Sequence, residues 1–99
     1  MNRTQKPFAD AAAEILRERS ISGRGLASQV GVHYTHMAKL LRGAKPPSRH
    51  VLQAVTCALE LPPDYFAELR ELTITEAIHN DPALRDWVFD QLHARRVER

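Results

Sequence analysis

Apolar residues recur along the chain at three- and four-residue intervals, and no stretch alternates with a period of two over the length of a strand. The pattern predicts an all-α fold. Phe8, Ala11, Ala12, Ile15 and Leu16, continued by Arg19, form the stripe of a first helix over about 7 to 20, with Pro7 in the first turn, where its missing N–H is no loss. Ser22 is placed to cap a short second helix carrying Leu26, Ala27 and Val30, and Gly31 to end it in the left-handed conformation. A third helix follows almost at once, from about Tyr34 to Arg42, burying Met37, Leu40 and Leu41, with Gly43 as its stop. Lys45-Pro46-Pro47 cannot continue it, and Ser48 caps a fourth helix with the stripe Val51, Leu52, Val55, Ala58 and Leu59. Cys57, in the middle of that helix, reads as a buried small hydrophobe. Beyond Pro62-Pro63, the residues Asp64, Tyr65, Phe66, Leu69 and Leu72 predict a fifth helix, and Thr73 with Glu76 reads as a capping box opening a short sixth around Ile74 to His79. Asp81 as cap and Pro82 in the first turn start a last helix, about 82 to 95, with Leu84, Trp87, Val88 and Leu92 on one stripe and Phe89 beside them. Residues 1 to 5 and 97 to 99 are expected to fray.

At 99 residues the chain has room for one domain and none for a barrel or a doubly wound sheet. No run approaches the roughly 20 apolar residues of a membrane span. The single Cys cannot close an internal disulfide, and the first residues lack the charged and then apolar segments of a secretory signal, so the expected compartment is the reducing cytoplasm. No base oriented by a third group and no phosphate loop appears, so neither an enzyme nor a cofactor is expected. His33 and His36 have a spacing that could hold a metal, but no Cys or carboxylate lies near them in sequence to complete a ligand set, and no metal is expected either.

The net charge of +2 becomes informative when it is divided. Residues 1 to 50 hold nine basic groups against three acidic ones, and residues 51 to 99 hold five against nine, so the halves carry +6 and −4. No acid occurs between Glu18 and Glu60, while Arg19, Arg24, Lys39, Arg42, Lys45 and Arg49 all fall in that interval. A stretch without carboxylates repels no phosphate, and this points to a polyanionic partner. Arg outnumbers Lys eleven to three, a composition expected of a GC-rich bacterial or phage genome.

The segment GRGLASQVGVHYTHMAKLLRG, Gly23 to Gly43, has the spacing of two helices crossing through a tight turn. Such a crossing needs a small residue at the contact, here Ala27, and a turn residue tolerant of positive φ, here Gly31. Leu26, Val30, Val32, Met37 and Leu40 supply the apolar underside, and His33, Tyr34, Thr35, Lys39 and Arg42 the opposite, polar surface. With the first helix before it and VLQAVTCALELPPDYF after Pro47-Ser48, the region 8 to 66 resembles the lambda-repressor-like, Xre-type helix-turn-helix domain. The resemblance implies double-stranded DNA as partner. It places Tyr34, Thr35 and Lys39 at base edges in the major groove and Ser22, Arg42 and Lys45 on the phosphate backbone. Gly23 stands where the family usually has a glutamine that braces the recognition helix, and Leu41 where a polar or acidic residue is frequent.

Elementary chemistry supports the same division. The first turn of the third helix would enter a groove deepest, and Lys39, one turn on, can donate to guanine O6 or N7. Backbone N–H groups at the start of the second helix, with Ser22, favour a phosphate. Arg24, Lys45 and Arg49 lie near helix starts or in the flanking loop, where they fix register without reading sequence, and His33 and His36 border the groove. Gly25 costs the second helix about 1 kcal/mol relative to alanine.

On this reading residues 1 to 72 form a DNA-binding domain and residues 73 to 99 a helical extension. The last helix carries more apolar surface than so short a domain needs to cover. It either packs on the first or fifth helix or, as favoured here, forms a homodimer seam through Leu84, Trp87, Val88 and Leu92, since one short recognition helix gains specificity from a second half-site. The expected function is a transcriptional regulator binding an inverted repeat as a homodimer. The alternative is an antitoxin-like or anti-repressor module whose acidic second half binds a protein partner.

Overall fold

The amphipathic stripes become six α-helices: α1 (Phe8–Glu18), α2 (Gly23–Val30), α3 (Tyr34–Leu41), α4 (Arg49–Ala58), α5 (Ala67–Asn80) and α6 (Pro82–Glu98). The computed structural model describes residues 2–98, with side chains through Arg96, and contains no strand among them. α2 packs on α3 and α4, α1 on α3, and α5 on both α4 and α6. Phe8, Ile15, Leu26, Met37, Leu40, Leu52, Val55, Leu59 and Phe66 are the large side chains lost from solvent at the centre. The Phe8 and Phe66 rings meet at 5.0 Å, joining the start of α1 to the start of α5. Among the described residues no helix is long and apolar enough to cross a membrane.

Three helix starts follow the predicted caps, Ser22 accepting from Gly25 N–H at 2.9 Å, Ser48 from Val51 N–H at 3.2 Å and Asp81 from Leu84 N–H at 3.2 Å. α1 is capped differently. Pro7 precedes the helix and offers no side-chain acceptor, so the Phe8 amide donates to the Glu68 carboxylate at 2.7 Å, 60 residues away. The ends of α1 and α4 share one closure: the Ile21 amide returns to the Leu16 carbonyl and the Leu61 amide to the Thr56 carbonyl, both at 2.9 Å. Each needs a left-handed residue, and these are Ser20 at φ 55° and Glu60 at φ 54°. Arg19 then donates to the Leu59 carbonyl, tying the two helix ends together.

Four expectations are corrected. The capping box at Thr73 and Glu76 does not open a helix, because the Thr73 hydroxyl donates to the Leu69 carbonyl one turn back and Glu76 turns to Arg49, leaving α5 unbroken from Ala67 to Asn80. Residues 72 and 73 are therefore consecutive positions of one helix. Cys57 is exposed, since the buried face of α4 runs through Val51, Leu52, Val55 and Thr56 and leaves it to one side. Residues 2 to 5 are not loose: Thr4 N–H donates to the Tyr65 carbonyl, Arg70 donates to the carbonyls of Thr4, Asp64 and Tyr65, and Arg3 pairs with Asp64 at 2.7 Å. The Arg3 guanidinium holds the Asp64 carboxyl below its ordinary value, so this contact persists at neutral pH and weakens as pH falls through the lowered range. At the other end α6 continues to Glu98, and Met1 and Arg99 lie outside the described residues.

Asp81 alone links α5 to α6 and accepts from the Leu84 amide at 3.2 Å, as a cap should. α6 does not fold back over the core. The radius of gyration is 16.4 Å, above the ~13 Å of a compact domain of this length, and the molecule measures 48 × 27 × 24 Å.

Left-handed Ser20 and Glu60 carry a Cβ where glycine would carry none. Ser20→Gly and Glu60→Gly are each expected to raise unfolding stability by about 1 kcal/mol in urea denaturation. A loss of stability in both would contradict the closure described.

Candidate nucleic-acid interface

α2 and α3 are joined by three residues, and each has a local reason. Gly31 takes φ 82°, and the amides of Gly31 and Val32 both return to the Ala27 carbonyl. Val32 tucks against the core. His33 caps α3, its Nδ1 accepting from the Thr35 amide at 3.1 Å, so this histidine is a structural residue of the turn. At the far end Gly43, φ 76°, and the Ala44 amide returning to the Lys39 carbonyl close α3 and release the loop holding Lys45.

α3 is held by one side. Met37 and Leu40 are 0% and 1% exposed, while Tyr34, Thr35, Lys39 and Arg42 are exposed and His36 is half-buried. Thr35, Lys39 and Arg42 follow one another at helical spacing, a polar ridge facing away from the core. Leu41 packs against the core and extends the interior.

The six cations of the carboxylate-free interval divide by what they touch. Arg19 is spent on the Leu59 carbonyl. Arg49 pairs with Glu76 of α5 at 2.8 Å, which turns it toward the protein. Arg24 lies over the Tyr34 ring at 4.2 Å from its centroid. Among the described residues Lys39, Arg42 and Lys45 make no ion pair. The interface is thus narrower than the charge count implied: Arg24, Lys39, Arg42 and Lys45, with Tyr34, Thr35 and the capped start of α2.

Three features of this surface escaped sequence reasoning. The His33 cap falls outside the usual Ser, Thr, Asp and Asn set. The Arg24 stack joins residues ten apart on different helices, a distance no periodicity reports. Gly23 lies beside the Tyr34 ring and Leu41: a Cβ there would be 3.4 Å from both Tyr34 Cε2 and Leu41 Cδ1, an ordinary contact distance. As for metals, among the described residues no three His, Cys, Asp or Glu side chains group together, and His33 has one ring nitrogen already engaged.

The predicted seam residues all lie on α6. Leu84 is 37% exposed, Trp87 59% and Leu92 53%, with Phe89 at 65% and Val88 half-buried. Among the described residues Leu84, Trp87, Phe89 and Leu92 remain exposed to solvent. No protein family, no curated protein and no solved structure matches the chain.

Gly25 is tied to the cap, since a Cβ on it would come within 3.2 Å of Ser22 Oγ. Ser22→Ala is expected to cost about 1 kcal/mol of stability. Gly25→Ala should then gain about 1 kcal/mol in the Ser22→Ala background and distinctly less in the wild type, where it crowds the hydroxyl. Equal gains in both backgrounds, measured by urea denaturation, would show that the hydroxyl is not where the cap requires it.

Proposed function

We propose that this chain is a sequence-specific DNA-binding regulator of transcription of the lambda-repressor-like, Xre-type helix-turn-helix kind, with α3 lying in the major groove. The observation that carries the reading is the outer surface of α3 and the loop after it: Lys39, Arg42 and Lys45 without ionic partners among the described residues, on a segment in which no carboxylate occurs between Glu18 and Glu60. Polyanion binding follows from that charge, and groove binding from the helix that presents it.

In this reading Tyr34, Thr35 and Lys39 meet base edges. Lys39 donates to guanine acceptors, and Thr35 offers its hydroxyl or its methyl group. Ser22, the N-terminal amides of α2, Arg42 and Lys45 hold phosphates and set the register. His36 borders the groove, while His33 acts through the turn it caps. A homodimer on an inverted repeat would place two copies of α3 about 34 Å apart, and the exposed Trp87, Phe89 and Leu92 of α6 favour a second copy as their cover.

The same exposed α6 supports a second reading, an antitoxin-like or anti-repressor module in which this surface seats a different protein. Sedimentation separates them. A wild-type dimer that Trp87→Glu or Leu92→Glu dissociates supports the DNA-binding homodimer, and a wild type monomeric at micromolar concentration favours the second reading.

Lys39→Ala is expected to flatten the preference among binding sites, whereas Lys45→Ala should weaken all duplexes alike and lower the log–log salt slope by about 0.9. Fluorescence anisotropy against specific and scrambled duplexes checks both. An identical, sequence-independent loss in the two variants would remove Lys39 from base readout.

A further inference from the structure

The Arg24 guanidinium over the Tyr34 ring joins the start of α2 to the start of α3 through side chains. Arg24 is the second residue of α2 and Tyr34 the first of α3, so each belongs to the turn of its helix that the proposed function brings nearest to DNA. The ring lies beside Gly23, whose Cβ would be 3.4 Å from Cε2, and it remains 39% exposed. Arg24 itself is exposed and, among the described residues, has no carboxylate partner.

A guanidinium stacked on an aromatic face gives up freedom about its side-chain bonds while keeping its edge donors, which lie in its plane and point outward. Such an edge matches two adjacent acceptors. DNA offers that pair in two places, the O6 and N7 atoms of guanine and the two free oxygens of a phosphate. An isolated arginine at a helix start would have to be ordered on binding. Here the contact is already made in the free protein, with Arg24 Cζ 4.2 Å from the Tyr34 ring centroid.

We propose that Arg24 and Tyr34 act as one preassembled contact, in which the ring holds the guanidinium plane and the guanidinium fork binds a pair of adjacent acceptors on DNA next to the position that Tyr34 reads. This rests on the DNA-binding reading above. It turns Arg24 from a loose electrostatic contact into a DNA contact positioned by Tyr34.

The test begins with the free full-length protein. Ring-current shifts of the Arg24 side-chain protons are expected in its NMR spectrum and should vanish in Tyr34→Leu, whereas unshifted protons in the wild type overturn the inference without touching the DNA-binding reading. The second measurement is a double-mutant cycle on duplexes selected from a random library, with thermal unfolding as the control for fold. Arg24→Ala and Tyr34→Ala should each weaken binding about tenfold and the double variant only about twentyfold, far short of the product. Arg24→Lys, which keeps the charge and loses the fork, should show no coupling to Tyr34. Losses that simply multiply, in a wild type that binds DNA, overturn this inference alone, and a wild type that binds no duplex overturns both readings. Where coupling is found, repeating the selection with Arg24→Gln locates the acceptors. Lost preference for guanine at one position places the fork on a base, and a uniform loss with a salt slope lower by about 0.9 places it on a phosphate.

Discussion

α3 has eight residues, too few for a helix to persist in water on its own hydrogen bonds. Its existence depends on Met37 and Leu40, inserted among side chains of the neighbouring helices and lost from solvent. Truncating either to alanine belongs to the class of core deletions that cost about 2 to 5 kcal/mol. That anchoring also decides what the helix can do. Because one side is committed to the core, the ridge of Thr35, Lys39 and Arg42 and the exposed Tyr34 are delivered outward as a rigid set, with their spacing fixed by the helix. His33 and Gly31 set where the helix begins, and Gly43 where it stops.

Charge is organised by the same packing. The division into a basic first half and an acidic second half is partly an internal match: Arg3 meets Asp64, Arg49 meets Glu76, and the Phe8 amide meets Glu68. These contacts fasten the start of the chain and α4 to α5. Exposed pairs of this kind add little stability each, but they give particular cations a partner within the protein. What is left outward on α2, α3 and the following loop is a smaller and better defined set than composition could show.

Legibility in the sequence followed the range of the interaction responsible. Ser22, Gly31, Gly43 and Ser48 mark α2, α3 and α4 through contacts within a few residues, and the helix limits there were readable to within one residue. Thr73 was misread because its hydroxyl has two local partners, a following amide or a preceding carbonyl, and the packing of α5 on α4 decided for the second. The docked N-terminal segment depends on Arg70 and Asp64, more than 60 positions away, and no periodicity records them. In the site, the polar ridge of α3 was visible from helical spacing. The disposal of Arg19, Arg49 and Arg24 was not, since each is decided by a residue on another element. The exposed stripe of α6 was legible as residues, and its lack of cover became visible only with the position of α6 relative to the core.

In the function we propose, the outward face of α3 reads a DNA sequence. Selection of bound duplexes by the full-length protein from a random library at low salt tests it most directly. The account predicts enrichment of an inverted repeat whose half-site centres lie about one helical turn, 10 to 10.5 base pairs, apart. Failure to retain any duplex, or retention without an enriched sequence, would contradict it.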